Sequence, residues 1–265
     1  MNISEKFKKL GKNNEKALIT YVAGGDPNYG SSKKIIKALI KGGADIVEIG
    51  IPFSDPMADG PVIQAAAERA LKNKFSLKDA LKLVGELREE DIENPLLFMS
   101  YYNPIYSYGI EKFIKDAKKV GVNGVIIPDL PPEESDEFYI IAEEYDFNLI
   151  MFLAPTMTEE RLEKVISRAN GFIYFVSVAG ITGARKNVNE NLENLIKKVK
   201  EKTEIPIGIG FGISSKEHVK GISKFADASI VGSAIVRKIE ENLDNEEKML
   251  EEIEEFVREL KSGTK

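Results

Sequence analysis

The chain has 265 residues, with 43% hydrophobic and 30% charged side chains, a composition that buries a core and fits one α/β barrel of about 250 residues. The complete absence of cysteine excludes disulfides, thiolate nucleophiles and zinc–thiolate or iron–sulfur centres. A formal net charge of −6 argues against a nucleic-acid surface as the main business, and no apolar run approaches the roughly 18 residues of a membrane span.

The first ten residues, Met1 to Leu10, hold no apolar signal core and read as a short amphipathic helix, which points to the cytoplasm. Eight short apolar, β-branched runs follow: Ala17–Ala23, Asp45–Gly50, Leu96–Ser100, Gly124–Pro128, Leu149–Leu153, Phe172–Val178, Ile205–Gly210 and Ala228–Gly232. Between them lie stretches of helical period: Ser31–Lys41, Leu77–Arg88, Ile110–Lys119, Pro132–Tyr145, Glu159–Ala169 and Glu190–Lys200, with Asn245–Lys261 at the end. Near-continuous apolar strands alternating with helices predict a parallel sheet covered by helices. Eight such units without a Pro/Gly/Ser-rich linker predict a single (β/α)8 barrel over residues 1–265. An open dinucleotide-binding sheet is disfavoured, because Gly24-Gly25-Asp26-Pro27 after the first strand lacks the G-x-G-x-x-G spacing.

In such barrels the chemistry sits at the C-terminal ends of the strands. In the second run, alternation puts Val47 and Ile49 toward the helices and Glu48 into the barrel mouth. Desolvation there raises a carboxyl pKa and suits it to general acid/base work. The plain alternative is a salt bridge, but no Lys or Arg stands at any strand end. The next loop, Pro52 to Pro61, carries Asp55 and Asp59; turn-forming explains many such aspartates, and Asp59 stands out by lying over the same mouth. Glycine-rich segments after the seventh and eighth strands, Gly208 to Ser215 and Val231 to Ala234, resemble a phosphate cradle with a short helix opening at its edge. The loop Ala179 to Arg185 is a candidate lid. No strand-end lysine is available for a Schiff base, and the lone histidine, His218, sits at a polar helix start. Carbon–carbon chemistry here must therefore run on carboxylates, with a substrate that carries its own electron sink.

The segment from Glu48 to Gln64, reading Glu-Ile-Gly-Ile-Pro-Phe-Ser-Asp-Pro-Met-Ala-Asp-Gly-Pro-Val-Ile-Gln, closely resembles the long signature of the tryptophan synthase alpha chain family. The likeness continues at Gly25-Asp26-Pro27, Tyr101-Tyr102-Asn103-Pro104, Pro128-Asp129-Leu130-Pro131, Gly180-Ile181-Thr182-Gly183, Gly210-Phe211-Gly212-Ile213 and Gly232-Ser233-Ala234-Ile235-Val236. The resemblance implies a TIM barrel with an extra N-terminal helix and a phosphate-binding helix after the eighth strand. It implies a lyase that cleaves indole-3-glycerol phosphate to indole and glyceraldehyde 3-phosphate. Glu48 and Asp59 would be the catalytic pair, the first protonating indole C3 and the second accepting the indole N–H. Tyr21, Ile63, Met99, Ile126, Tyr174 and Phe211 would line the indole slot. Gly183, Gly212, Gly232 and Ser233 would hold the phosphate, and Thr182 would fasten the lid. No cofactor is implied in this chain. Its implied partner is the beta chain, a pyridoxal-phosphate enzyme that receives indole in an alpha2beta2 heterotetramer, with Pro52, Asp55, Asn103 and Pro131 on loops at that interface. Two alternatives stand beside this: a lyase acting without a beta chain, and a non-catalytic scaffold that activates one.

Overall fold

In the computed structural model, residues 1–176, 186–210 and 212–265 are described, with the backbone alone at 186–191. Eight parallel strands close into a barrel in sequence order: β1 Ala17–Ala23, β2 Ile46–Gly50, β3 Leu96–Met99, β4 Gly124–Ile126, β5 Asn148–Leu153, β6 Ile173–Val176, β7 Ile207–Gly210 and β8 Ala228–Val231. Each run anticipated from the sequence holds a strand: β1 matches its run at both ends, β5 begins one residue earlier at Asn148, and the other six fall a residue or two short at one described end.

Among the described residues twelve helices accompany them: α1 Ile3–Lys12, α2 Tyr29–Gly42, α3 Pro61–Lys72, α4 Leu77–Glu89, α5 Tyr102–Tyr108, α6 Ile110–Val120, α7 Asp136–Glu144, α8 Glu159–Arg168, α9 Lys186–Lys200, α10 Lys216–Ile222, α11 Ser233–Glu241 and α12 Glu246–Lys261. Two of them bear on the site and start for legible reasons. Pro61 opens α3 at the one helical position where a missing N–H costs nothing. Helix α11 begins directly after β8, with Gly232 as its cap residue and no side chain bonded to its end, which leaves its first N–H groups available.

Strand alternation sorts the core into two shells. Leu18, Val22, Val47, Ile49, Leu96, Phe98, Val125 and Leu149 face the helices and merge with their apolar faces. Inside the barrel, Ala17, Ile19, Ile46, Leu97, Ile126, Ile150, Phe172 and Ile230 pack against one another. Helix α1 seals the floor: Ile3 and Leu10 join that inner cluster, and Phe7 meets Phe172 with ring centroids 6.2 Å apart. Its start is held by a reciprocal cap, Asn2 Oδ1 accepting from Glu5 N–H while Glu5 accepts from Asn2 N–H, both at 2.8 Å. A filled lower barrel leaves the upper end as the place for a ligand. At the floor the charges are mutually satisfied: Lys16 and Lys200 both donate to Asp227, which also accepts from Ile207 N–H. Among the described residues no helix is long and apolar enough to cross a membrane, and no group of His, Cys, Asp and Glu is arranged to hold a metal ion.

Candidate active site

Above the inner cluster, the inward positions of successive strands change character. They read Tyr21 on β1, Glu48 on β2, Met99 on β3, Ile126 on β4, Phe152 on β5 and Tyr174 on β6, and then only glycines on β7, Gly208 and Gly210. Large side chains thus build a slot on one side and their absence opens it on the other. Two glycines have a steric reason. A Cβ at Gly50 would overlap the Tyr21 hydroxyl and come within 2.8 Å of its ring carbon Cζ; one at Gly210 would overlap the Tyr174 hydroxyl, with Cζ at 2.6 Å. Both tyrosine rings therefore lie across the end of a neighbouring strand and flank the carboxylates from opposite sides. Burial, reinforced by the charges of Glu48 and Asp59, raises both phenols well above their ordinary range, so they stay neutral walls.

Glu48 is 1% exposed. Its Oε1 has no hydrogen-bond partner, and its carboxylate no ion-pair partner, among the described residues. Burial alone pushes its carboxyl up to about 8, because the charged form loses water and gains nothing in return. A carboxyl in this state is protonated at neutral pH. Leaving such a group buried and unpaired works against folding.

Asp59 sits on the turn ahead of α3, partly buried. Desolvation raises its carboxyl above the usual range, and the neighbouring Tyr101 hydroxyl acts against that rise. Its turn is anchored at three points: Ala58 N–H donates to Tyr101 Oη at 2.9 Å, Gln64 Nε2 donates to the Asp59 carbonyl at 2.7 Å, and Asp59 N–H donates to the Pro56 carbonyl. Ile63, one turn into α3, joins Tyr21, Ala23, Ala66, Val236 and Met99 in a small apolar cluster between β1, α3 and α11. Gly232 and Ser233 stand at the other edge of Tyr21: a Cβ on Gly232 would be 3.4 Å from the Tyr21 Cβ. Gly212 is exposed on the loop after β7. Phe211, Thr182 and Gly183 lie outside the described residues.

Of the residues expected at a partner surface, Asp55 and Asn103 are exposed, Pro131 is half-buried and Pro52 is buried within the chain. Asn103 belongs to the first turn of α5 instead of a loop. That helix has no side-chain cap of its own; Asp129, from the loop after β4, supplies an acceptor for Tyr102 N–H at 2.8 Å. His218 is half-buried at the start of α10, more enclosed than a solvated residue, and its Nδ1 accepts from Ser214 N–H at 3.3 Å.

Three features escaped sequence reasoning. Phe152 packs against Tyr174 with centroids 4.8 Å apart and the rings tilted by 47°, and completes the slot; its parity with Ile150 is the signal that marks it. Tyr101 supports the Asp59 turn from another βα unit. Asp26, Arg69 and Glu240 form an ion cluster behind the mouth. A groove of about 460 Å³ flanks the slot on the β4–β5 side, lined by Met57, Pro128, Leu130, Met151, Phe152 and Met157 among others.

The site combines a neutral buried acid, a second carboxylate, an apolar aromatic slot and a bare helix N-terminus, within one barrel mouth. Known proteins resemble the chain along nearly its whole length. The family model for the tryptophan synthase alpha chain matches residues 7–265. The tryptophan synthase alpha chain of Petrotoga mobilis is 47% identical over 259 residues, covering 98% of both chains. That of Methanocaldococcus jannaschii is 48% identical over 244 residues, 92% of this chain and 86% of its own. The crystal structure of tryptophan synthase subunit alpha from Legionella pneumophila superposes with a TM-score of 0.92 at 35% identity, covering 100% of this chain and 98% of that one. With identity of this order along its full length and the same barrel throughout, the chain belongs to the tryptophan synthase alpha chain family.

Proposed function

We propose that the reaction of this family, cleavage of indole-3-glycerol phosphate into indole and glyceraldehyde 3-phosphate, is carried out here by Glu48 and Asp59. The observation that carries the assignment is Glu48: a carboxyl buried in the barrel mouth, unpartnered at Oε1 and held neutral with its pKa at about 8. At neutral pH it is loaded with the proton that the reaction needs first.

The indole ring enters between Tyr21, Met99, Ile126, Phe152 and Tyr174, with Ile63 at its edge. The nitrogen lone pair pushes through C2=C3, and C3 takes the Glu48 proton. The ring becomes a cationic indolenine, and Asp59, accepting the indole N–H, stabilises the charge that develops there. The indolenine is the electron sink. Glu48, now a carboxylate with the basicity of a group titrating near 8, accepts the proton of the hydroxyl on the carbon attached to C3. As that C–O becomes C=O, the bond to C3 breaks and its electrons restore the aromatic indole. One proton has moved in and one out, and glyceraldehyde 3-phosphate leaves. The phosphate is held by the first N–H groups of α11 and Ser233, with Gly212 and, on the loops outside the described residues, Gly183; the dipole of α11 favours that charge. Thr182 as the lid fastener and Phe211 as part of the slot are what the family resemblance implies, and both lie outside the described residues.

The same reading extends to assembly. The alpha chain delivers indole to a beta chain that carries pyridoxal phosphate, within an alpha2beta2 complex in the cytoplasm, and no cofactor is required in this chain. The exposed Asp55 and Asn103 support a docking surface beside the mouth. Indole release from indole-3-glycerol phosphate by the purified chain, alone and with a beta chain, tests the reading. Release above the uncatalysed rate supports it. None under either condition overturns it in favour of a non-catalytic scaffold.

A further inference from the structure

The Asp26–Arg69–Glu240 cluster plays no part in the chemistry above, yet it is built with unusual care. The Asp26 side chain is 0% exposed. Arg69 meets it with two parallel bonds, Nε to Oδ1 at 2.7 Å and Nη2 to Oδ2 at 3.0 Å, the fork geometry that only arginine provides. The remaining Nη1 reaches Glu240 Oε1 at 3.1 Å. One side chain thus joins three elements: the loop after β1, helix α3 and helix α11. A second tie backs it, Asn73 at the end of α3 donating to the Pro27 carbonyl.

Those helices meet the two ends of the substrate. Helix α3 begins two residues after Asp59, and α11 begins at Ser233 beside Gly232. Between them the apolar contact runs through Val62, Ile63 and Ala66 of α3 and Val236 of α11. Arg69 and Glu240 sit near the far ends of the same two helices. At 1.5 Å per residue, Pro61 lies about 12 Å from Arg69 and Ser233 about 10 Å from Glu240. A tilt of about 5° at such a lever moves its tip by about 1 Å, a displacement to which catalysis responds strongly.

We propose that Arg69 is a positioning residue that sets the distance between the indole-binding and phosphate-binding ends of the site, and so selects the length of the substrate chain. The proposal rests on the assignment of Asp59 to the indole end and of Gly232 and Ser233 to the phosphate end. Its signature is a loss confined to ligands that span both ends. The probes are indole, glycerol 3-phosphate and an indole bearing a phosphorylated three-carbon chain at C3, titrated calorimetrically against the full chain. In Arg69→Lys, which keeps the charge but not the fork, the two-ended ligand weakens by roughly tenfold and kcat falls with it, while indole and glycerol 3-phosphate each stay within about twofold. Glu240→Gln, which leaves the buried Asp26 pair intact, moves the same ratio in the same direction by roughly threefold, and serves if Arg69→Lys does not fold. Parallel loss of all three ligands in both variants reduces Arg69 to a structural role and overturns the proposal, as does an unchanged ratio. If the unaltered chain fails to bind one of the single-ended probes, the assignment of the ends falls instead.

Discussion

Removing the charge from Glu48 should make the protein more stable wherever that charge exists. The group titrates at about 8 in the folded chain against an ordinary value of 4.5. The folded state therefore holds the proton more tightly than the unfolded one, and stability contributed by this group is full below the unfolded pKa and lost as pH rises through the folded pKa. Between those values the loss accumulates at about 1.4 kcal/mol per pH unit. Over the interval from 4.5 to 8 it reaches at most about 5 kcal/mol, and at pH 7 about 3 kcal/mol is already lost. Glu48→Gln replaces the acid with a neutral group of the same shape that titrates nowhere in this range. Wild type and variant should thus have nearly parallel stability at pH 4, and the variant should pull ahead as pH rises to 9. At roughly 2–4 °C per kcal/mol for a chain near this size, the melting temperatures diverge by roughly 10–20 °C. Chemical denaturation at pH 5, 7 and 9, read by circular dichroism, measures the difference directly. A gap that stays constant with pH would refute the claim that Glu48 is held neutral by burial.

Five further outcomes follow from the account. The pH profile of kcat/KM should be bell-shaped, because turnover needs Glu48 protonated and Asp59 ionised: the alkaline limb falls near 8 and the acid limb lies above the ordinary aspartate range. Asp59→Asn should remove the acid limb in a pH-rate measurement; an unmoved limb assigns it to another group. Gly210→Ala should displace the Tyr174 ring and lower kcat/KM by at least roughly tenfold while the chain stays folded by circular dichroism, and unchanged kinetics would show that the ring is not a wall of the slot. Gly232→Val should weaken glycerol 3-phosphate more than indole in calorimetric titrations, since a side chain on the cap residue of α11 would block the approach to its first N–H groups; equal losses would indicate a general disturbance. Adding a beta chain should raise the turnover of the isolated chain, and Asp55→Ala should reduce that rise with little effect on the basal rate. A lone chain already at full activity would favour the stand-alone lyase.

What the sequence made legible was whatever depends on local period or on a single strand end. The eight apolar runs became eight strands because a parallel barrel buries both faces of each strand. The period of two put Glu48 inside and Val47 and Ile49 against the helices. The same rule applied to Asn148–Leu153 would have named Phe152, which was passed over because no polar group marks it. Helix α3 is readable at Pro61, a proline in a first helical turn. Other features were illegible in principle. Tyr101 reaches Ala58 across 43 residues and Arg69 reaches Glu240 across 171, and no spacing rule links positions that only barrel closure brings together. Gly25-Asp26-Pro27 carried its family likeness openly, but the role of its carboxylate needed the partner on α3. Thr182, Gly183 and Phe211 lie outside the described residues.

The central claim is that Glu48 donates the proton to indole C3, and steady-state turnover of Glu48→Gln with indole-3-glycerol phosphate tests it most directly. The measurement pairs kcat with the affinity for the unreactive phosphorylated indole derivative, so that chemistry and binding are separated. The account requires a loss of at least about 10²-fold in kcat with affinity preserved within a few fold. Turnover near that of the unaltered chain, with binding intact, would contradict it and assign the proton to another group in the mouth.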